Sequence, residues 1–171
     1  RQLESVLRHH LSHLCQRVDL LPGSDKGAFI DIDSLLRPVY GHAKQGASYG
    51  HTKIAGKQIL RKGLSPLVTT ISTTGAAPAI TGMRLRAGKA NSGKGAGRMI
   101  AQAIGTARAA GVRGQILVRG DSAYGTRAVV GAVGRITAHQ DLPEHDSSSG
   151  SPDGLGDHYA GAFAGVGFLG P

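Results

Sequence analysis

Asp33 and Asp121 are the residues whose type and placement best suit chemistry. Asp33 closes the apolar run Ala28-Phe29-Ile30-Asp31-Ile32, and Asp121 stands just past Gln115-Ile116-Leu117-Val118. Carboxylates at the ends of neighbouring strands can converge on one point. A hard cation such as Mg²⁺ takes oxygen ligands and is commonly held by one or two carboxylates plus phosphate oxygens. Two such ions stabilise the attacking and leaving oxygens of phosphoryl transfer. Taken singly, each Asp also reads as an ordinary strand-end residue. The pair means more, because no Asp or Glu lies anywhere between them.

Two other constellations compete. Gly88-Lys89-Ala90-Asn91-Ser92-Gly93-Lys94-Gly95 follows an expected strand and precedes an expected helix, as a phosphate loop does. Gly95, however, stands where Ser or Thr would reach Mg²⁺. That leaves a nucleotide-hydrolysing reading as the weaker alternative and a flexible basic loop as the plainer one. His9 and His13 are four residues apart on one helix face, but no third ligand accompanies them. A solvated helix face accounts for both.

The charge distribution points the same way as the aspartates. The 171 residues hold 20 Lys and Arg against 11 Asp and Glu, a net +9. All 20 bases lie between Arg1 and Arg135, with only six acids for company, so the body is +14 and the tail beyond is −5. A strongly basic body favours a polyanion, most simply nucleic acid. Arg37, Lys44, Lys53, Lys57, Arg61, Lys62, Arg84, Arg86, Lys89 and Lys94 are the candidates for phosphate contact. One cysteine excludes a disulfide scaffold and a cysteine-based zinc site. No apolar run approaches the length of a membrane span. The chain opens on Arg1 without a leader and reads as an internal piece of something longer.

These residues need elements to position them. Leu3, Val6, Leu7, Leu11, Leu14 and Val18 have helical spacing, closed by Leu21-Pro22-Gly23-Ser24. Residues 28–33 alternate as a strand with Phe29, Asp31 and Asp33 on one face. The Gly-, Lys- and His-rich stretch 37–63 is expected as loop or hairpin. Leu67–Thr73 is β-branched and strand-like, and 66–86 reads as a hairpin around Gly75-Ala76-Ala77-Pro78. Met99, Ile100, Ala103, Ile104, Ala107 and Ala110 give a helical face, 115–118 a short strand, and 123–135 the start of another helix. From Thr137 the pattern dissolves, and a disordered tail is expected. The division is thus an N-terminal helical segment, 1–24, a body, 25–136, and a tail, 137–171. The order from 28 to 118 is β-β-β-α-β, an α/β class.

Phe29-Ile30-Asp31-Ile32-Asp33-Ser34, Val39-Tyr40-Gly41-His42-Ala43-Lys44-Gln45-Gly46-Ala47 and Leu117-Val118-Arg119-Gly120-Asp121-Ser122-Ala123-Tyr124-Gly125 together resemble a bacterial insertion-sequence transposase. The resemblance is to the Asp-Asp-Glu class, covers about residues 1–133, and implies an incomplete ribonuclease H-like fold. It implies DNA strand cleavage and strand transfer with Mg²⁺ or Mn²⁺. Asp33 matches the first acid and Asp121 the second, with Asp31 the lesser candidate for first ligand. Duplex DNA bearing the element's terminal repeats would be the partner. A homodimer in intact members and a bacterial cytoplasmic, nucleoid-associated location are also implied. The third acid, a Glu on a later helix, has no match, since Glu144 lies in Pro143-Glu144-His145-Asp146-Ser147 without helical patterning. Likeness, basic residues and periodicity all stop near 131–136. That coincidence predicts a frameshifted or truncated, inactive transposase. A non-catalytic basic DNA-binding fragment is the alternative.

Overall fold

The computed structural model describes residues 2–138 and 166–169. Helix α1 (Gln2–Arg17) leads into strand β1 (Gly27–Ser34). Next come a short β2 (Arg37–Pro38), a hairpin of β3 (Ser48–Ile54) and β4 (Lys57–Leu64), and a second hairpin of β5 (Leu67–Ser72) and β6 (Ala79–Arg84). Helix α2 (Ala96–Ala109), strand β7 (Gln115–Asp121), a 3₁₀ turn (Ser122–Tyr124), helix α3 (Arg127–Ala138) and strand β8 (Val166–Leu169) complete the order. This is a mixed α/β chain. No helix among the described residues is long and apolar enough to cross a membrane.

Five strands form one sheet in the order β6-β5-β1-β7-β8. β5 runs antiparallel to both β1 and β6, whereas β7 runs parallel to β1 and β8 parallel to β7. The alternation of β1 explains its central place. Ala28, Ile30 and Ile32 are buried, while Phe29, Asp31 and Asp33 on the other face remain at least partly accessible. The buried face meets α2, whose Met99, Ile100, Ala103, Ile104 and Ala107 recur at helical spacing and are all buried. Gly111, at φ 99°, ends α2 with bonds from Val112 N–H to the Ala107 carbonyl and from Gly111 N–H to that of Arg108. This reversed pair is the usual device for satisfying a helix's last carbonyls. Leu11 of α1 and Leu21 join the same core.

A smaller sheet, β2-β4-β3, grows from the chain between β1 and β5. Its hairpin turns on Ala55 and Gly56, at φ 48° and 77°, the two left-handed residues that match the twist of paired strands. At its base Gly50, Gly63 and Gly88 lie backbone against backbone, with no room for a side chain at any of the three. Of the two options for the stretch 37–63, loop or hairpin, the hairpin is the one that forms over 48–64.

One expectation about the tail needs correction. Residues 166–169 lie in the stretch read as disordered, yet they pair in parallel with Val118–Asp121. Four residues of Gly and apolar type carry too little period to be read as a strand. Pairing with an edge supplies what the local pattern lacks. Helix α3 also runs to Ala138, just past the boundary drawn at 136. The rest of the tail, with Glu144, lies outside the described residues.

Candidate functional site

The parallel ladder of β1 and β7 sets Asp31 opposite Arg119. The ladder ends there, and Asp33 and Asp121 follow two residues further along the same two strands, both close enough to Tyr124 for their charges to act on it. Both side chains are exposed. They stand at the C-terminal ends of two adjacent parallel strands, where open α/β sheets characteristically receive ligands.

Each carboxylate is held by one oxygen. Asp33 Oδ1 accepts from the Ser34 N–H at 2.6 Å, and Asp121 Oδ1 accepts from the Ala123 N–H at 3.0 Å, capping the 3₁₀ turn. Among the described residues, the second oxygen of each takes no hydrogen bond. That leaves both with an open acceptor at the same sheet edge. Such a donor set fits Mg²⁺ or Mn²⁺, which bind through one or two carboxylates and take the remaining ligands from water and phosphate. No group of three or more His, Cys, Asp or Glu able to hold a metal occurs among the described residues. His9 and His13 accordingly have no third partner.

Asp31 is engaged elsewhere. Its two oxygens accept from Arg119 Nε and one terminal nitrogen at 2.7 and 2.8 Å, a bidentate pair. The guanidinium also lies 4.4 Å from the centre of the Phe29 ring. This ion pair raises the Arg119 pKa above its usual value, chiefly through the hydrogen bond to Asp31. Of the two acids on β1, Asp33 is the one with an open oxygen.

Tyr124 lies under the pair. It is 1% exposed, and its hydroxyl donates to Ser34 Oγ at 2.9 Å. Burial pushes the Tyr124 pKa up, and the nearby charges of Asp33 and Asp121 add to the rise. The Ser34 hydrogen bond and the Arg86 guanidinium oppose it. Ser34, Arg119 and Tyr124 stand in the same stretches of sequence as the acids, but nothing local in the sequence assigns them these roles. A polar residue beside each Asp was the available signal.

The basic residues divide by environment. Arg37, Lys44, Lys57, Arg61, Lys89 and Lys94 are exposed, and Lys62 and Arg84 are half-buried. The Lys53 side chain lies outside the described set. Lys62 Nζ donates to the His42 carbonyl at 3.0 Å. Most of these residues sit on the small sheet, which leaves β1 directly after Asp33. The loop 88–95 reaches the segment that follows the 3₁₀ turn, where Gly93 packs against Thr126.

Arg86 departs from the expectation of phosphate contact. It is 7% exposed and donates to the carbonyls of Ser65, Asn91, Ser92 and Lys94 and to Ser65 Oγ, at 3.0–3.2 Å. Burial lowers its pKa, and those acceptors are what its charge serves. The same arrangement decides against a phosphate loop at 88–95. Phosphate loops aim backbone N–H groups at an anion. Here three carbonyls converge on a cation, and the Lys94 N–H is already taken by Asn91 Oδ1 at 2.9 Å. The preceding strand, β6, is also half of an antiparallel hairpin.

Comparison of the chain with protein-family models, curated proteins and solved structures returns no match.

Proposed function

We propose that Asp33 and Asp121 form the metal-holding part of a transposase-type site for phosphodiester chemistry on DNA, within a ribonuclease H-like sheet. The observation that carries this reading is the parallel pairing of β1 with β7, which sets side by side the C-terminal ends of two strands whose acids are far apart in sequence, each acid with one oxygen that accepts no hydrogen bond among the described residues. The topology supports it. Three antiparallel strands, a helix and a fourth strand parallel to the first are the β-β-β-α-β order that the motif resemblance implies.

A divalent ion held there would stabilise charge on the attacking and leaving oxygens at phosphorus. Asp33 and Asp121 supply its protein oxygens. The small sheet, with Arg37, Lys57 and Arg61, and the loop residues Lys89 and Lys94 grip phosphates, which orients a duplex without reading its bases. Asp31 and Arg119 neutralise each other and leave the metal ligands to the strand ends.

Two acids without a third among the described residues favour one further reading, a fragment that binds DNA but transfers no strands. Fluorescent terminal-repeat duplex, titrated with the chain and then supplied with Mg²⁺ or Mn²⁺, separates the two. The transposase-type site requires metal-dependent nicking that Asp33→Asn and Asp121→Asn abolish while salt-sensitive binding persists. We expect such nicking to be weak in this chain. Binding with no nicking under either ion leaves only the binding fragment. Vigorous strand transfer would instead overturn the expectation of a crippled enzyme.

A further inference from the structure

Among the described residues Tyr124 is the largest fully buried side chain, yet its hydroxyl donates to a residue outside the core. That residue, Ser34, directly follows Asp33, and its own N–H holds Asp33 Oδ1. At its other end Tyr124 is fixed to Asp121. It is the last residue of the turn that Asp121 caps, and its ring packs on Gly120, where a Cβ would come within 3.3 Å of Tyr124 Cδ2. A short chain of contacts therefore runs from one acid to the other, as Asp33, Ser34, Tyr124 and the capped turn of Asp121.

We propose that Tyr124, through Ser34, is a positioning residue that sets the relative placement of the Asp33 and Asp121 carboxylates. The backbone register alone brings the two strands together. Both acids, however, stand at strand ends, and the β1–β7 ladder stops at Asp31 and Arg119, one pleat short of them. Beyond that point the ladder no longer fixes the spacing, and the Tyr124–Ser34 bond is the side-chain link that spans it. The hydroxyl is buried and donates to Ser34, so it acts as a tether and not as a ligand. Tyr124 and Ser34 thus shape the site without touching what it holds.

This inference rests on the reading of Asp33 and Asp121 as metal ligands. The experiment is a titration of the whole chain with Mn²⁺, followed by the free-ion electron paramagnetic resonance signal, well below the melting temperature. Wild type, Asp33→Asn, Tyr124→Phe, Ser34→Ala and the Tyr124→Phe/Ser34→Ala double variant are compared. We expect Asp33→Asn to lose the site. Tyr124→Phe and Ser34→Ala should each weaken Mn²⁺ binding about fivefold, the scale of one hydrogen bond. The double variant should be no weaker than either single, because all three lack the same bond. A merely structural role would lower the melting temperature and leave the affinity of the folded protein unchanged. Wild-type affinity in both Tyr124→Phe and Ser34→Ala, with the site lost in Asp33→Asn, overturns the positioning role and spares the metal site. Equal binding by wild type and Asp33→Asn overturns the metal site, and the positioning role with it. Should Tyr124→Phe fail to fold, Ser34→Ala alone decides.

Discussion

Ile30 in β1 is 0% exposed, whereas Tyr49 and Leu60 in the small sheet are 62% and 56% exposed. The five-stranded sheet has one face closed by α2 and draws its order from apolar burial. The small sheet has exposed side chains on both faces and draws its order from backbone pairing and from the seat of Gly50, Gly63 and Gly88. The difference separates two tasks. A packed sheet can hold two carboxylates at a fixed spacing, and a thin basic sheet can present charge over a wide reach. Neither construction would serve the other's task well.

The largest test of this contrast is truncation of an apolar side chain in each region. Ile30→Ala should cost about 3 kcal/mol in urea unfolding, because the packed core cannot close the cavity. Leu60→Ala should stay within about 0.5 kcal/mol, as surface changes do. Comparable losses would erase the distinction. Gly63→Val comes next, since its side chain would meet the Arg37 carbonyl. Amide exchange should quicken across 48–64 while β1 and β5 stay protected. Uniform loss of protection would show that the small sheet is part of the main core.

Charge reversal sharpens the division of labour. Lys57→Glu with Arg61→Glu should reduce the slope of log affinity for DNA against log salt by about 2, roughly 0.9 for each lost phosphate contact. Asp33→Asn should leave that slope in place. A smaller effect attends Asp31→Asn, which breaks a partly exposed ion pair and should cost at most about 1 kcal/mol. Mn²⁺ binding should survive it, and loss of binding would make Asp31 a ligand after all.

The smallest effect is a pH dependence. The folded state raises the Tyr124 pKa, so folding favours the protonated phenol. Its contribution is complete below the unfolded value of about 10 and is lost as pH climbs through the higher folded value. Wild type should therefore lose more stability than Tyr124→Phe between pH 9.5 and 11 in thermal melts, an interval set around that reference value of about 10.

Much of the main sheet was legible in sequence because its patterns are local. The alternation of residues 28–33, the β-branched run 67–72 and the helical face from Met99 to Ala107 each declare one buried side. The hairpin of 48–64 could be read only as one of two options, loop or hairpin, since a segment exposed on both faces has no apolar period. Arg86 misled for a different reason. An arginine looks the same in sequence whether it faces a phosphate or a ring of carbonyls. Asp33 and Asp121 could be singled out as strand-end acids, and the motif resemblance already ranked Asp31 below Asp33, but the pairing that engages Asp31 with Arg119 depends on the β1–β7 register, which no local pattern shows.

The ladder between β1 and β7 also has a consequence in time. Its partners, such as Gly27 and Gln115, are separated by everything from β2 to α2, whereas the β3–β4 turn joins near neighbours. Local pairings close early and distant ones late, because the longer loop costs more entropy before any contact rewards it. A chain leaving the ribosome can thus complete its basic hairpin while β7 has yet to be synthesised. The basic part is born first. The acidic pair comes into being only when the far strand arrives to lie beside β1.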